Sequence, residues 1–322
     1  MIIDFHTHYY PEKYLNELRT GEGYAKATIE NNRIIINYIG DYNVVVKEYV
    51  DIVERLKHMD KMGVDMQVLT STSPGVAREE APRGIKLARI INDGLAETIE
   101  AYPNRFTALG ILPLQTPEEA VIELDRLVKE CNLPGVCVPS NVAGKSLSSP
   151  EFFPVFEKAE KLGVLVFIHP TSPLNTVDMM DNRLVTLLGY GVDTSLAVLR
   201  LMFSGLFDRL PSLKLGASHL GGVYPFLLGR LDQGYIKYPE VSELKQSPSE
   251  YLKKVYVDSC GYSSRTIRYV ADCLEYGRIL MGSDYPAQIQ EDDPVKRIKA
   301  VGLGDEEENG VLGLNAIKLL GL

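Results

Sequence analysis

The stretch Asp4-Phe5-His6-Thr7-His8 places two imidazoles one residue apart at the end of a short apolar run. Along a β-strand residues i and i+2 share a face, so both rings can enter one pocket. Three more runs end on side chains of the same chemistry. They are His169 in Phe167-Ile168-His169-Pro170, His219 in Ala217-Ser218-His219-Leu220-Gly221-Gly222, and Asp284 in Gly282-Ser283-Asp284-Tyr285-Pro286. Neutral imidazoles and a carboxylate form the donor set that zinc and similar divalent ions accept. Singly, each has an ordinary explanation: an HxH pair bonds locally, a buried histidine is satisfied in the core, an Asp after Gly-Ser caps a helix. Together they do not, because four of only five histidines end strand-like runs. The fifth, His58, lies mid-helix among Lys57 and Lys61 and reads as a solvated surface residue.

These residues need elements to bring them together. Strand candidates are residues 2–6, 64–71, 106–112, 134–139, 163–169, 213–219, 255–260 and 278–283, each short and bounded by Gly, Pro, Asn or Asp, as buried parallel strands are. The segments between them carry helical spacing. Val46, Tyr49, Val53, Leu56 and Met59 fall on one face, with Gly63 placed to end the helix. Thr116-Pro117-Glu118-Glu119 reads as a capping box, and Ser149-Pro150-Glu151 opens a helix that Gly163 closes. Eight strand-plus-helix units predict an α/β fold, a (β/α)8 TIM barrel forming one domain over residues 1–322. A doubly wound open sheet has the same periodicity and stays open as the alternative. Residues 18–45 read as a β-hairpin across Asn31-Asn32 inserted after strand 1. Residues 170–195 form a long stretch placed to wall a substrate cleft. In a closed barrel the C-terminal strand ends converge on one face, where barrel enzymes keep their sites.

Composition narrows the partners. With 34 Lys and Arg against 43 Asp and Glu the net charge is −9, which disfavours nucleic acid and anionic membranes as partners. An anionic small molecule remains compatible, since charge within a cleft can oppose the net charge. No stretch reaches about 20 uninterrupted apolar residues, and the first residues lack the basic-then-apolar pattern of a signal peptide. Four cysteines without a CxxC pair fit reduced thiols in a cytoplasmic protein.

The HxH, the IHP, the SHLGG and the GSDYP together resemble the metal-dependent amidohydrolase superfamily, in the branch that holds α-amino-β-carboxymuconate-ε-semialdehyde decarboxylase and related decarboxylases. The resemblance spans essentially the whole chain, and Ser218 to Arg230 (SHLGGVYPFLLGR) is its most distinctive piece. It implies one divalent metal ion held by His6, His8, His169 and Asp284, with a water completing the shell. His219 is then the acid/base residue beside that water, and Asp284 is expected to be catalytic as well as a ligand. Zinc is the expected ion, while manganese, iron and cobalt suit the same donors. The fourth strand, Pro134 to Pro139, has no Lys or Glu to bridge a second ion, and its Cys137 reads as a structural thiol. Arg230 matches an arginine that reaches into the partner subunit's site to bind a substrate carboxylate, which implies a homodimer; an ion pair on the helix surface is the other reading of Arg230. A second carboxylate-binding arginine of the decarboxylase falls on Asn43 here, which puts a dicarboxylic substrate in doubt.

Two reactions follow from such a site. One is decarboxylation of an aromatic or unsaturated carboxylic acid, a carbon–carbon lyase reaction. The other is hydrolysis of an amide, lactone or other cyclic substrate, or hydration of a conjugated acid, by the same ion and acid/base pair. A barrel that keeps its metal only as a structural element is the third reading, and His219, which coordination does not need, argues against it.

Overall fold

Eight short, largely buried runs pair in parallel in chain order: β1 (Ile3–His8), β2 (Met66–Thr70), β3 (Phe106–Ile111), β4 (Gly135–Pro139), β5 (Leu165–His169), β6 (Lys214–Ala217), β7 (Tyr256–Asp258) and β8 (Ile279–Leu280). The structure is a computed structural model describing residues 1–31, 33–38, 41–241 and 243–322. The last strand returns to the first. Phe5 N donates to Met281 O at 2.7 Å, Asp284 N to His6 O at 2.9 Å and His8 N to Tyr285 O at 2.7 Å. Thr7 and Tyr285 form a parallel bridge at the same seam. These bonds close the sheet into a barrel, which removes the open-sheet alternative.

Ile3, Phe5, Val68, Leu109, Cys137, Leu165, Phe167 and Leu280 pack into one buried cluster of the strands, joined by Ala316, Leu319 and Leu320 of the last helix (Asn315–Leu320). Phe5 and Phe167 meet edge to face at 5.1 Å, and His6 rests edge to face against Phe167 at 5.9 Å. A second cluster lies between the strands and the surrounding helices, with Leu87, Ile91, Leu124 and Leu127 among its members.

Several local expectations need correcting. The helix predicted from Val46 onward is two pieces, a 3-10 turn (Lys47–Tyr49) and a helix (Ile52–Met62). Asp51 divides them, since its carboxylate accepts from Val53 N and Glu54 N and starts a new helix out of phase with the residues before it. Val46 and Val53 are consequently exposed, and the buried face carries Arg55 and Met59. Gly63 ends this helix as expected, at φ 68°. The helix Pro117–Lys129 begins where predicted, but Thr116 makes no capping bond and its hydroxyl has no partner among the described residues. His58 is half-buried, stacked on Tyr285 with ring centroids 4.0 Å apart, rather than solvated.

The insertion after β1 holds a helix (Glu12–Thr20) and three antiparallel strands, Lys26–Glu30, Arg33–Tyr38 and Asp41–Val45. The first two pair as the predicted hairpin, with Asn31 in the turn at φ 49°; Asn32 lies outside the described residues. The stretch 170–195 contains turns at Thr176–Met179 and Val185–Gly189, and the helix Tyr190–Phe203 starts inside it. Val185–Phe203 is long and apolar enough to cross a membrane, and half of it is buried inside the protein, as a barrel helix would be.

Close packing between β4 and β5 rests on Gly135, where a Cβ would meet Leu165 O at 2.4 Å. Gly135→Ala is expected to destabilise the fold by about 1–3 kcal/mol through overpacking, read as a lower urea midpoint with unchanged slope.

Candidate metal centre

His6, His8, His169, His219 and Asp284 all meet at the C-terminal mouth of the barrel. His6 Nε2 stands 3.2 Å from His8 Nε2. Asp284 Oδ1 is 2.8 Å from His8 Nε2 and 3.6 Å from His6 Nε2, and its Oδ2 is 3.9 Å from His219 Nε2. Ligand atoms of His6, His169, His219 and Asp284 all lie within 4.8 Å of one another.

The far edge of each ring is anchored. His6 Nδ1 bonds Asp258 Oδ2 at 2.6 Å, and His8 Nδ1 bonds Thr70 Oγ1 at 3.1 Å. His169 Nδ1 donates to Pro170 O at 2.7 Å and lies 2.9 Å from Thr72 Oγ1. A carbonyl only accepts, so the His169 proton sits on Nδ1 and its Nε2 is a bare lone pair. That Nε2 is buried and has no partner among the described residues. A lone pair orphaned among imidazole nitrogens and a carboxylate is what a cation would satisfy. The donors therefore fit one divalent ion.

Among the described residues a second ion has no such place. His6, Asp258 and Cys260 also cluster, but both Asp258 oxygens are occupied. Oδ1 accepts from Leu220 N and Cys260 N, and Oδ2 accepts from His6 Nδ1 and His219 N. Cys137 is buried among apolar side chains, and burial pushes its thiol up to about 12. A neutral thiol is a poor ligand, which agrees with the structural role expected of it.

Electrostatics favour the coordinating protonation states at His8, His169, His219 and Asp284, with His6 the exception. Burial holds His8 at about 4, against partial opposition from Asp284. Burial also puts His169 well below the imidazole range, helped by the nearby His6 and His8, and it lowers His219. For His6 burial works downward, but the Asp258 carboxylate outweighs it and the net shift is upward. For Asp284 burial works upward, and the His8 hydrogen bond and the charge of His6 prevail, so it stays ionised.

The backbone here is strained. His219, Leu220, Tyr262 and Asp284 adopt φ of 54°, 56°, 52° and 64°, a region L-residues seldom occupy. Asp258 holds the first two of these in place by accepting from both amides. Tyr262 OH donates to Asp284 Oδ2 at 2.9 Å. Asp258 and Tyr262 were not anticipated from sequence. The signal for Asp258 was an acid inside a buried strand, Val257-Asp258-Ser259-Cys260; Tyr262 carried none.

A cavity of about 700 Å³ opens over the centre. Its walls include Tyr42 and Asn43 from the insertion, Asn182, Arg183, Leu187 and Tyr190 from the stretch predicted to form a wall, and Tyr262 and Ile289. Asn43 Nδ2 donates to Ser73 O at 2.7 Å and Tyr10 OH at 3.0 Å, which ties the insertion to the barrel. Arg230 is exposed on the helix Leu228–Lys237 and does not line the cavity of its own chain.

Residues 3–322 match the family model described as Amidohydrolase. This chain belongs to the amidohydrolase family. The 2-amino-3-carboxymuconate-6-semialdehyde decarboxylase of Dictyostelium discoideum is 32% identical to this amidohydrolase over 339 residues, covering 99% of this chain and 91% of that protein. The gamma-resorcylate decarboxylase of a Polaromonas strain is 32% identical over 247 residues, 72% of this chain and 76% of that protein. Among solved structures, 5-carboxyvanillate decarboxylase from Sphingomonas paucimobilis superposes with a TM-score of 0.85 at 29% identity, covering 100% of this chain and 99% of that one.

Two outcomes follow from this electrostatic arrangement. His8, His169 and His219 lie below their unfolded value of about 6.5, so between those values the unfolded chain binds more protons. The metal-free fold therefore loses stability as pH falls from about 6.5 toward 4, outweighing the opposite contributions of His6 and of Asp4, which burial raises to about 6, and its Tm should drop by about 5 °C or more. Calorimetry of chelator-treated protein from pH 7.5 to 4.5 reads this directly. Asp258→Asn removes the acceptor that fixes the His6 tautomer and should weaken divalent-ion binding about 10- to 100-fold, measured by competition with a chelating dye.

Proposed function

We propose that this amidohydrolase is a decarboxylase, a carbon–carbon lyase that removes CO2 from an aromatic or unsaturated carboxylic acid. The observation that carries it is the convergence of four inward-facing donors beside a histidine that is free to exchange a proton. His6, His8, His169 and Asp284 hold one divalent ion, which we take to be zinc; manganese, iron and cobalt suit the same donors. When bound, the ion stabilises negative charge on a substrate oxygen.

His219 is the acid/base. It sits close enough to Asp284 and His169 to be a ligand itself, so the assignment rests on its other edge. His6 and His8 are pinned by Asp258 and Thr70, whereas among the described residues His219 Nδ1 faces the Ser218 hydroxyl alone, at 3.1 Å, which donates or accepts. His219 is also the more exposed side chain, at 16% against 0% for His6 and 2% for His8. Burial lowers its pKa, so its protonated ring is a stronger acid than free imidazolium. That ring gives its proton to the carbon bearing the carboxylate. The bond to the carboxylate then breaks, its electrons return to the substrate's π-system, CO2 departs, and solvent reprotonates His219. Tyr42, Tyr49, Leu187, Leu188 and Ile289 on the cavity wall suit a flat, largely apolar acid.

The catalytic unit is the whole of residues 1–322, with 18–45 as its insertion. It works as a homodimer in the cytoplasm, on a small carboxylate and with neither nucleic acid nor membrane as partner. In support of a dimer, the helix Leu228–Lys237 buries none of its residues, and Phe226, Leu227, Ile236 and Tyr238 stand exposed on and around it. Pairing through this face would carry Arg230 to the partner's cavity, where its guanidinium binds the substrate carboxylate. The four cysteines are free, which suits a reducing compartment.

His219→Ala is expected to reduce turnover at least about 1000-fold while the protein still binds one equivalent of metal, checked by elemental analysis alongside CO2 release from candidate acids. Loss of the ion would make His219 a ligand. A new carboxylate formed without CO2 would move the reaction to hydrolysis.

A further inference from the structure

Arg55 is the largest fully buried side chain among the described residues. It lies on the helix Ile52–Met62, outside the barrel. A guanidinium out of water is costly unless its donors are used. Its Nη1 donates to Gln67 Oε1 at 3.0 Å, and its Nη2 donates to Glu48 O at 2.9 Å and to the backbone carbonyl of His8. Its Nε has no partner among the described residues. No carboxylate is among these contacts; instead the guanidinium lies 4.9 Å from the Tyr285 ring centroid and 5.9 Å from that of Tyr9.

The places it touches are not random. His8 is the second histidine of the HxH pair, and Tyr285 follows Asp284 directly. On the other side of Asp284, Gln67 Nε2 donates to Asp4 Oδ2 at 3.4 Å. Asp4 accepts from Ser283 N at 2.9 Å and from Ser283 Oγ at 2.5 Å. Arg55 thus reaches both residues that flank Asp284, one by its ring and one through Gln67 and Asp4, while holding the carbonyl of His8. It spans the seam where β1 and the segment after β8 meet, the place where His8 N bonds Tyr285 O at 2.7 Å.

We propose that Arg55 is a positioning residue for the metal centre: its buried guanidinium clamps the His8 carbonyl and the Ser283–Tyr285 segment together, and so sets the approach of His8 and Asp284 to one ion. This rests on the reading of His6, His8, His169 and Asp284 as ligands. Arg55 touches no substrate or ion; it acts through the two strand ends. A guanidinium serves where lysine would not, because its planar fork reaches three acceptors while its face packs on an aromatic ring.

The test uses the full chain stripped of metal and titrated with Zn2+ or Co2+ against a chelating dye, for wild type, Arg55→Lys and Arg55→Ala. Affinity should fall about 10- to 100-fold in both variants with unchanged far-ultraviolet circular dichroism. The Co2+ visible spectrum should shift in Arg55→Lys as the donor geometry loosens. Millimolar methylguanidinium, filling the space left in Arg55→Ala, should restore much of the affinity. A purely structural arginine would lower Tm yet leave affinity and Co2+ spectrum at wild-type values in the folded variants, and that result overturns the proposal. If Arg55→Ala does not fold, Arg55→Lys decides: weakened binding supports the clamp and unchanged binding refutes it. Wild-type protein that takes up no ion would sink the ligand assignment itself, and the clamp with it.

Discussion

A carboxylate at the mouth of a dry barrel must have its charge spread over donors or it will not stay ionised. Asp258 meets that demand with four: the His6 ring and the amides of His219, Leu220 and Cys260. One side chain thereby turns His6 Nε2 inward, pins the left-handed turn that presents His219, and locks the end of β7 against the start of the loop after β6. The positive φ at His219 and Leu220 is affordable because their amides point at a full negative charge rather than at a carbonyl dipole.

Asp284 is the second anion, and the two differ in what surrounds them. Asp258 is saturated by the protein's own hydrogens. Asp284 has one oxygen against His8 and the other against Tyr262, facing rings that burial keeps neutral. The centre thus holds more negative charge than its own groups neutralise, and a divalent ion supplies the balance. The protein's structure stores an electrostatic deficit at the point where the cavity ends.

Much of this was legible in the sequence, for a physical reason. Parallel strands buried on both faces are short unbroken apolar runs, and all eight appear close to their predicted positions; β1 runs two residues further, to His8, β8 stops three residues early, at Leu280, and the other six lose no more than two residues at either end. The histidines stood out because they interrupt apolar runs at strand ends. The hairpin pairing was readable from Asn31 and its flanks, whereas the third strand of the insertion, Asp41–Val45, was not, since Tyr42, Asn43 and Val44 line the cavity while Val45 joins the core, which leaves no clean apolar alternation. Asp258 escaped notice because a single acid in a three-residue strand has no period. His58 was misjudged because helical phase says nothing of a ring supplied by Tyr285, more than two hundred residues away. Thr116 had the residue types of a capping box but not the backbone geometry, which spacing alone does not encode.

The seam that closes the barrel joins residues near opposite ends of the chain, and so does the donor set proposed for the ion, from His6 to Asp284. During synthesis the first two histidines leave the ribosome long before the carboxylate they face. An unfinished or prematurely terminated chain therefore exposes an incomplete donor set and competes poorly for scarce cellular metal. With those ligands, metallation would be a late event in biogenesis, tied to completion of the cylinder, and a metal-loaded molecule would be one whose eighth strand has already docked.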